Sequence, residues 1–338
     1  MTRRLLLRTG CILLLMLVAW PFVMNRDAQA WGFYGHRRIN RMACFTLPPA
    51  MFGFYKRHID YITDHATDPD SRRYAVAAEA PRHYIDLDHY VPDSVRDPFS
   101  YVPKKWDMAV QKFSEDTLQA YGIVPWYIPV VYGRLVNAFK RQSTDRILYY
   151  SAEIGHYIAD SHVPLHTTEN YNGDMSGQHG IHAFWESRIP ELSADSYDHF
   201  VGRAHYISDP LDAAWNAVIA SHAALDTVFG AEKELQKRFP ESDKYVYEDR
   251  GRGTVQLYSE DFAKAYEDAM GGMVERRMNA AIIAVGSFWY SAWVDAGQPN
   301  LDRIDEKEVS DSLKQVLKAE KEADQMSKKA LGRPEPDQ

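Results

Sequence analysis

Cysteine is nearly absent from this 338-residue chain, which holds only Cys11 and Cys44. Cys11 falls in an apolar run near the start. One cysteine is then left for any folded part, and an internal disulfide is excluded. Basic charge is also short: 39 lysines and arginines face 47 acidic residues, a formal balance of −8. That deficit argues against loose electrostatic binding of nucleic acid, which needs a basic surface. It leaves room for a metal-centred site that takes a phosphate. Low-complexity linkers and obvious repeats are missing between Trp31 and Asn300, and alternating strand patterns are scarce. The long apolar run is confined to Cys11–Met24, broken by Pro21 and short for a membrane span.

That run reads as a leader. Arg3, Arg4 and Arg8 precede it, and Ala28-Gln29-Ala30 is a small-residue cleavage site, so residues 1–30 are expected to be a signal peptide cut before Trp31. The mature protein is then expected to be secreted or periplasmic, with no stable membrane span. Losing four arginines and one aspartate would leave 35 basic and 46 acidic residues, a formal charge of −11.

What is present is mostly helix and apolar bulk, 45% hydrophobic, enough for a sizeable core. Thr144 to Asp160 carries Ile147, Leu148, Tyr150, Ile154, Tyr157 and Ile158 at helical spacing, and Pro164 is expected to end the helix. Leu211–Arg238 and Val255–Val294 read as two more long helical stretches, the second opening near Ser259-Glu260-Asp261. Residues 91–130, rich in proline and aromatics, read as long loops with a short helix. The expected fold is all-α: one multi-helical domain over 31–300, followed by a polar tail over 301–338 with no assigned chemistry.

The densest chemical signal is Gly155-His156-Tyr157-Ile158-Ala159-Asp160-Ser161-His162-Val163-Pro164-Leu165-His166. His156 and Asp160 lie four apart, on one helical face. His182 and Glu186, in Ile181-His182-Ala183-Phe184-Trp185-Glu186, repeat that spacing. Imidazole with carboxylate is what zinc takes from helices. A single such pair is ordinarily a surface ion pair. Two pairs with His166 between them point to metal. Upstream, Asp64 follows Tyr61-Ile62-Thr63 and His83 follows Pro81-Arg82; taken alone, one reads equally as a helix cap and the other as a core or loop histidine.

Taken in order, Trp31, His36, Asp64, His83, His156-x-x-x-Asp160, His166 and His182-x-x-x-Glu186 resemble the trinuclear zinc site of the superfamily of secreted zinc-dependent phospholipases C and fungal single-strand-specific nucleases. The likeness implies that the α-amino nitrogen and carbonyl oxygen of Trp31, freed by cleavage, join His36 and Asp160 on one zinc. It implies a second zinc on Asp64, His83, His156 and a bridging Asp160, and a third on His166, His182 and Glu186. Phosphate-ester hydrolysis by a zinc-bound hydroxide follows, with Asp64, Asp160 and Glu186 as the catalytic carboxylates and Asp64 also a proton acceptor.

Glu186 as last ligand resembles the phospholipase C branch, since the nucleases carry Asp there. The short Trp31-Gly32-x-x-Gly35-His36 spacing resembles the nucleases, and Tyr34 stands where choline-binding phospholipases carry an acid. The expected substrate is a phospholipid, cleaved to diacylglycerol and a phosphorylated headgroup. Single-stranded nucleic acid is the alternative, and an inactive zinc-stabilised binding protein a third. Phe33, Tyr34 and Tyr84 are candidate stacking groups, and His65, Arg82 and Lys104 candidate substrate contacts. The sequence leaves the oligomeric state open.

Overall fold

The computed structural model describes residues 30–73, 76, 78–92, 95, 97–250, 253–304, 313–315 and 318. The expected leader and most of the polar tail lie outside the described residues.

Helix α1 (Ala30–Ala43) buries Gly35, His36, Ile39, Asn40 and Ala43, one stripe at three- and four-residue spacing. After a short helix come α2 (Ile59–Asp64), a 3-10 turn (His65–Thr67) and α3 (Asp68–Arg73). The 91–130 stretch holds more helix than its prolines suggest: short helices at Pro98–Tyr101, Trp106–Phe113 and Glu115–Tyr121, then α4 (Val124–Lys140). Prolines at the first helical turns cost nothing there, because those N–H groups have no intrahelical partner.

A three-residue link joins α4 to α5 (Thr144–Ser161), and the two pack along their length. Every residue of α5 from Ile147 to Ser161 is buried. A helix buried on all sides is the centre of the molecule. It ends before Pro164, which opens a 3-10 turn (Pro164–Thr167) carrying His166.

The stretch read as one helix over 211–238 is two, α6 (Pro210–His222) and α7 (Leu225–Gln236). The stretch read as helix over 255–294 begins in a strand. β1 (Tyr245–Arg250) pairs antiparallel with β2 (Gly253–Tyr258), Tyr245 opposite Tyr258. Ser259 then caps α8 (Glu260–Ala269), its Oγ accepting from Phe262 N at 3.2 Å. Gly271 and Gly272, at φ 63° and 72°, separate α8 from α9 (Met273–Asp295). Two adjacent left-handed residues cannot continue a helix, and glycine adopts them without steric cost.

The hairpin is a local addition to an all-α body in which α1, α4, α5 and α9 pack around one core. Trp185, Trp215 and Trp289 are fully buried in it. A Cβ at Gly155 would collide with the Asn40 amide, so glycine there lets α1 lie close against α5. That contact brings His36 beside His156. Among the described residues no helix is long and apolar enough to cross a membrane.

Candidate metal centre

Three groups of imidazoles and carboxylates meet where α1, α3, α5 and the 3-10 turn Ala80–His83 converge: His36 with Asp70 and His156, His83 with His156 and Asp160, and His166 with His182 and Glu186. Within each group the donor atoms lie within 4.8 Å of one another.

The second group is the tightest. His83 Nδ1 lies 3.0 Å from both His156 Nε2 and Asp160 Oδ2, and His156 Nε2 lies 3.3 Å from the same oxygen. Asp70 Oδ1 stands 3.4 Å from His156 Nε2 and 3.6 Å from His83 Nδ1. A tetrahedral zinc with bonds of about 2.0–2.1 Å has ligand–ligand edges of about 3.3 Å. These spacings fit such an ion. The tautomers fit as well. His156 Nδ1 donates to Ala66 O at 2.8 Å, so in the neutral ring Nε2 presents a lone pair to two carboxylates. Acceptors gathered on one point out of water repel unless a cation lies among them.

Asp160 faces two ways. Its Oδ2 belongs to the second group, and its Oδ1 lies 3.2 Å from His36 Nε2. The His36 and His156 rings stack with centroids 3.9 Å apart. Burial opposes ionisation of Asp160, but His156, His166 and His36 around it hold the carboxyl well below the usual range. Burial likewise works against His156, whose pKa Asp70 and Asp160 nonetheless raise. The group is built for positive charge.

The third group uses shorter elements. His166 Nδ1 donates to His83 O at 2.6 Å, turning Nε2 to Glu186 Oε2 at 3.3 Å. His182 Nε2 reaches the same oxygen at 3.0 Å. The spacing of His182 and Glu186 looked like plain α-helix. The structure gives one α turn (Ile181–Ala183) followed by a π turn (Phe184–Arg188). Single π turns of this kind are common at functional sites. Behind it, Phe184 stacks on Tyr258 at 3.8 Å, and Arg188 Nε donates to Tyr258 O at 3.0 Å. The hairpin thus props the turn that carries Glu186. Burial opposes the Glu186 charge, yet His182 and His166 bring its pKa down to about 2.

The structure brings His36, His83, His156, Asp160, His166, His182 and Glu186 together, and leaves Asp64 outside. Asp64 is exposed at the end of α2, whereas Ile62 is fully buried. Two residues along a helix turn the side chain about 200°, to the opposite face. Asp70 of α3 occupies the place expected for Asp64. Its signal was available in Thr67-Asp68-Pro69-Asp70, a proline that restarts a helix directly after the His65–Thr67 turn. The terminal groups and side chain of Trp31 lie outside the described residues.

The other candidates have structural partners. Tyr84 is buried, its hydroxyl donating to Ala120 O at 3.3 Å, and Tyr34 donates to Asp195 at 3.1 Å. Lys104 pairs with Asp212 at 2.6 Å and Arg82 with Glu79 at 2.9 Å. His65 Nδ1 pairs with Asp68 at 2.7 Å, its ring stacked on Tyr61. An aromatic that sequence reasoning passed over, Tyr171, lies edge-on to His182 at 5.8 Å.

No family model matches the chain, and none of the curated proteins matches it. Among solved structures, it is similar to the crystal structure of Clostridium perfringens alpha-toxin from avian strain SWCP. The two are 14% identical with a TM-score of 0.43, over 84% of this chain and 67% of that one. The all-α assignment rests on this chain's own helices.

Proposed function

We propose that the chain is an exported zinc-dependent phosphodiesterase of the phospholipase C type. One observation carries the reading: eight buried or half-buried imidazoles and carboxylates, drawn from seven helical elements, converge at metal-ligand spacing. His36 and Asp160, with the amino group of Trp31 after cleavage, would hold one zinc. Asp70, His83, His156 and Asp160 would hold a second, and His166, His182 and Glu186 a third. With three protein donors, the third would have room for water or substrate, as catalytic zinc sites do. Bound zinc supplies Lewis acidity, polarising phosphoryl oxygens and making water acidic enough to ionise near neutral pH.

The chain's own residues orient and shield. Ala66 O and His83 O fix the tautomers of His156 and His166. The aromatic edge of Tyr171 walls one side of His182. Thiol chemistry is not on offer: Cys44 is fully buried, and burial pushes its pKa up to about 12. Glu186 as the last donor and the acidic balance favour a phospholipid over a polynucleotide. The short spacing from Trp31 to His36 favours single-strand nuclease activity instead. A paired turnover assay separates them, using zinc-loaded protein starting at Trp31. Diacylglycerol release from phosphatidyl lipid in mixed micelles, without shortening of single-stranded DNA or RNA, is expected. Oligonucleotide cleavage alone would move the protein to the nuclease reading. Turnover of neither substrate would leave a zinc-stabilised binding protein.

A further inference from the structure

Behind His83 lies an ionic box, its carboxylates buried and its arginines half-buried, that the zinc reading does not use. Glu79 is fully buried. It accepts hydrogen bonds from the Tyr157 hydroxyl, from Arg82 Nη1 at 2.9 Å and from Arg72 Nε at 3.3 Å. Arg72 also holds Glu153 through two bonds of 2.6 and 2.7 Å. Two guanidinium groups thus face two carboxylates. Burying two carboxylates against two half-buried guanidinium groups is poor value for stability, since apolar side chains of the same volume often do as well. The box therefore asks for another explanation.

His83 supplies it. Its Nδ1 points into the second group, 3.0 Å from His156 Nε2 and from Asp160 Oδ2. Its Nε2 is buried and makes no hydrogen bond among the described residues, but it lies 3.6 Å from Glu79 Oε1. That gap exceeds an ordinary hydrogen bond by a few tenths of an ångström. Glu79 precedes the 3-10 turn Ala80–His83, so one turn of chain places the carboxylate behind the ring. His156 and His166 have their outer nitrogens fixed by backbone carbonyls; for His83 the available partner is a carboxylate.

We infer that Glu79 is a positioning residue for the second group: it fixes His83 as the Nε2–H tautomer and so turns the Nδ1 lone pair to the metal. Outer partners of this kind typically change metal affinity 10–100-fold. Arg72, Arg82 and Tyr157 serve to hold the Glu79 carboxylate still and ionised. The inference rests on the zinc reading above, and its test separates the two.

Wild type, Glu79→Gln and Glu153→Gln would be loaded with zinc and equilibrated against a graded chelator, with zinc per chain and thermal midpoint measured for each. The expected result is that E79Q releases one class of zinc at a chelator activity roughly 10–100-fold lower than wild type, the other classes staying in place. E153Q, which removes the other carboxylate of the box without touching His83, should lower the midpoint and leave the zinc classes in their wild-type order. Proportional weakening of every class in E79Q, or the same selective loss in E153Q, makes Glu79 merely structural and overturns the inference alone. A wild type that holds no zinc overturns both the inference and the reading beneath it. Should E79Q fail to fold, imidazole nitrogen NMR of the zinc-loaded wild type decides: His83 protonated on Nε2 supports the inference, and on Nδ1 it overturns it.

Discussion

His36, His156 and Asp160 stand on helices of 14 and 18 residues, whereas His166, His182 and Glu186 stand on segments of 4, 3 and 5 residues. The first scaffold is the core itself. Helix α5 is buried on all sides, and Gly155 lets α1 press against it. His36, His156 and Asp160 cannot move without unpacking the molecule. The second scaffold depends on neighbours: the hairpin behind Phe184 and Arg188, and Asp88, which holds Thr168 at 2.6 Å. Regions of that kind open at lower free energy than core helices. One half of the centre is therefore bound up with folding, and the other has more room to shift.

The sharpest way to break this contrast is Asp160→Asn, which strips the carboxylate shared by two groups. Leaving buried charges without their partner costs about 3–5 kcal/mol. Thermal unfolding should show that loss, and zinc analysis should show the core half emptied while the third group keeps its ion. An unchanged midpoint would mean that the core half contributes nothing to folding. Asp70→Asn tests the same half through a single carboxylate. It should weaken zinc retention against a chelator by tenfold or more, while Asp64→Asn, altered on an exposed face, should leave retention unchanged and stability within about 0.5 kcal/mol. The reverse outcome would restore Asp64 to the site.

His162 lies at the joint between the halves. It is buried with its Nδ1 2.7 Å from Ile158 O, and burial, helped by Arg277, lowers its pKa to about 3. A histidine held neutral in the fold takes up its proton only on unfolding. Its contribution is therefore complete above about pH 6.5 and is lost as pH falls from there toward 3, by at most about 1.4 kcal/mol per pH unit. Urea unfolding of metal-free protein at pH 7 and pH 5 should show a smaller pH effect in His162→Asn than in wild type; equal slopes would refute the assignment. Among substitutions of the clustered donors, the smallest expected change in stability is that of Glu186→Gln. Turnover and one zinc should be lost, while stability falls by no more than about 1 kcal/mol. A large shift would place the third group in the folding core with the others.

Much of this was legible in the sequence because α5 is long and periodic. His156, Asp160, the helix end before Pro164, and the all-α class could be read from apolar spacing. The illegible parts share a cause: each depends on where a short segment turns. Asp64 and Asp70 are both aspartates near a helix end, and only the face on which Ile62 packs tells them apart. The hairpin at 245–258 was missed although Tyr245-Val246-Tyr247 and Thr254-Val255 favour strand; the helical pattern after Ser259 was extended back over the second strand. Glu79 escaped although Glu79-x-x-x-His83 repeats the spacing that drew notice elsewhere. Its role depends on which imidazole nitrogen faces it, and sequence carries no record of that.

The double-facing Asp160 has a consequence for supply. A carboxylate fixed by an ion on one oxygen is already oriented for an ion on the other, and such coupling is reciprocal. On the zinc reading, the two ions of the core half would then fill and empty in concert rather than independently. Loss of either ion would loosen the hold on the other.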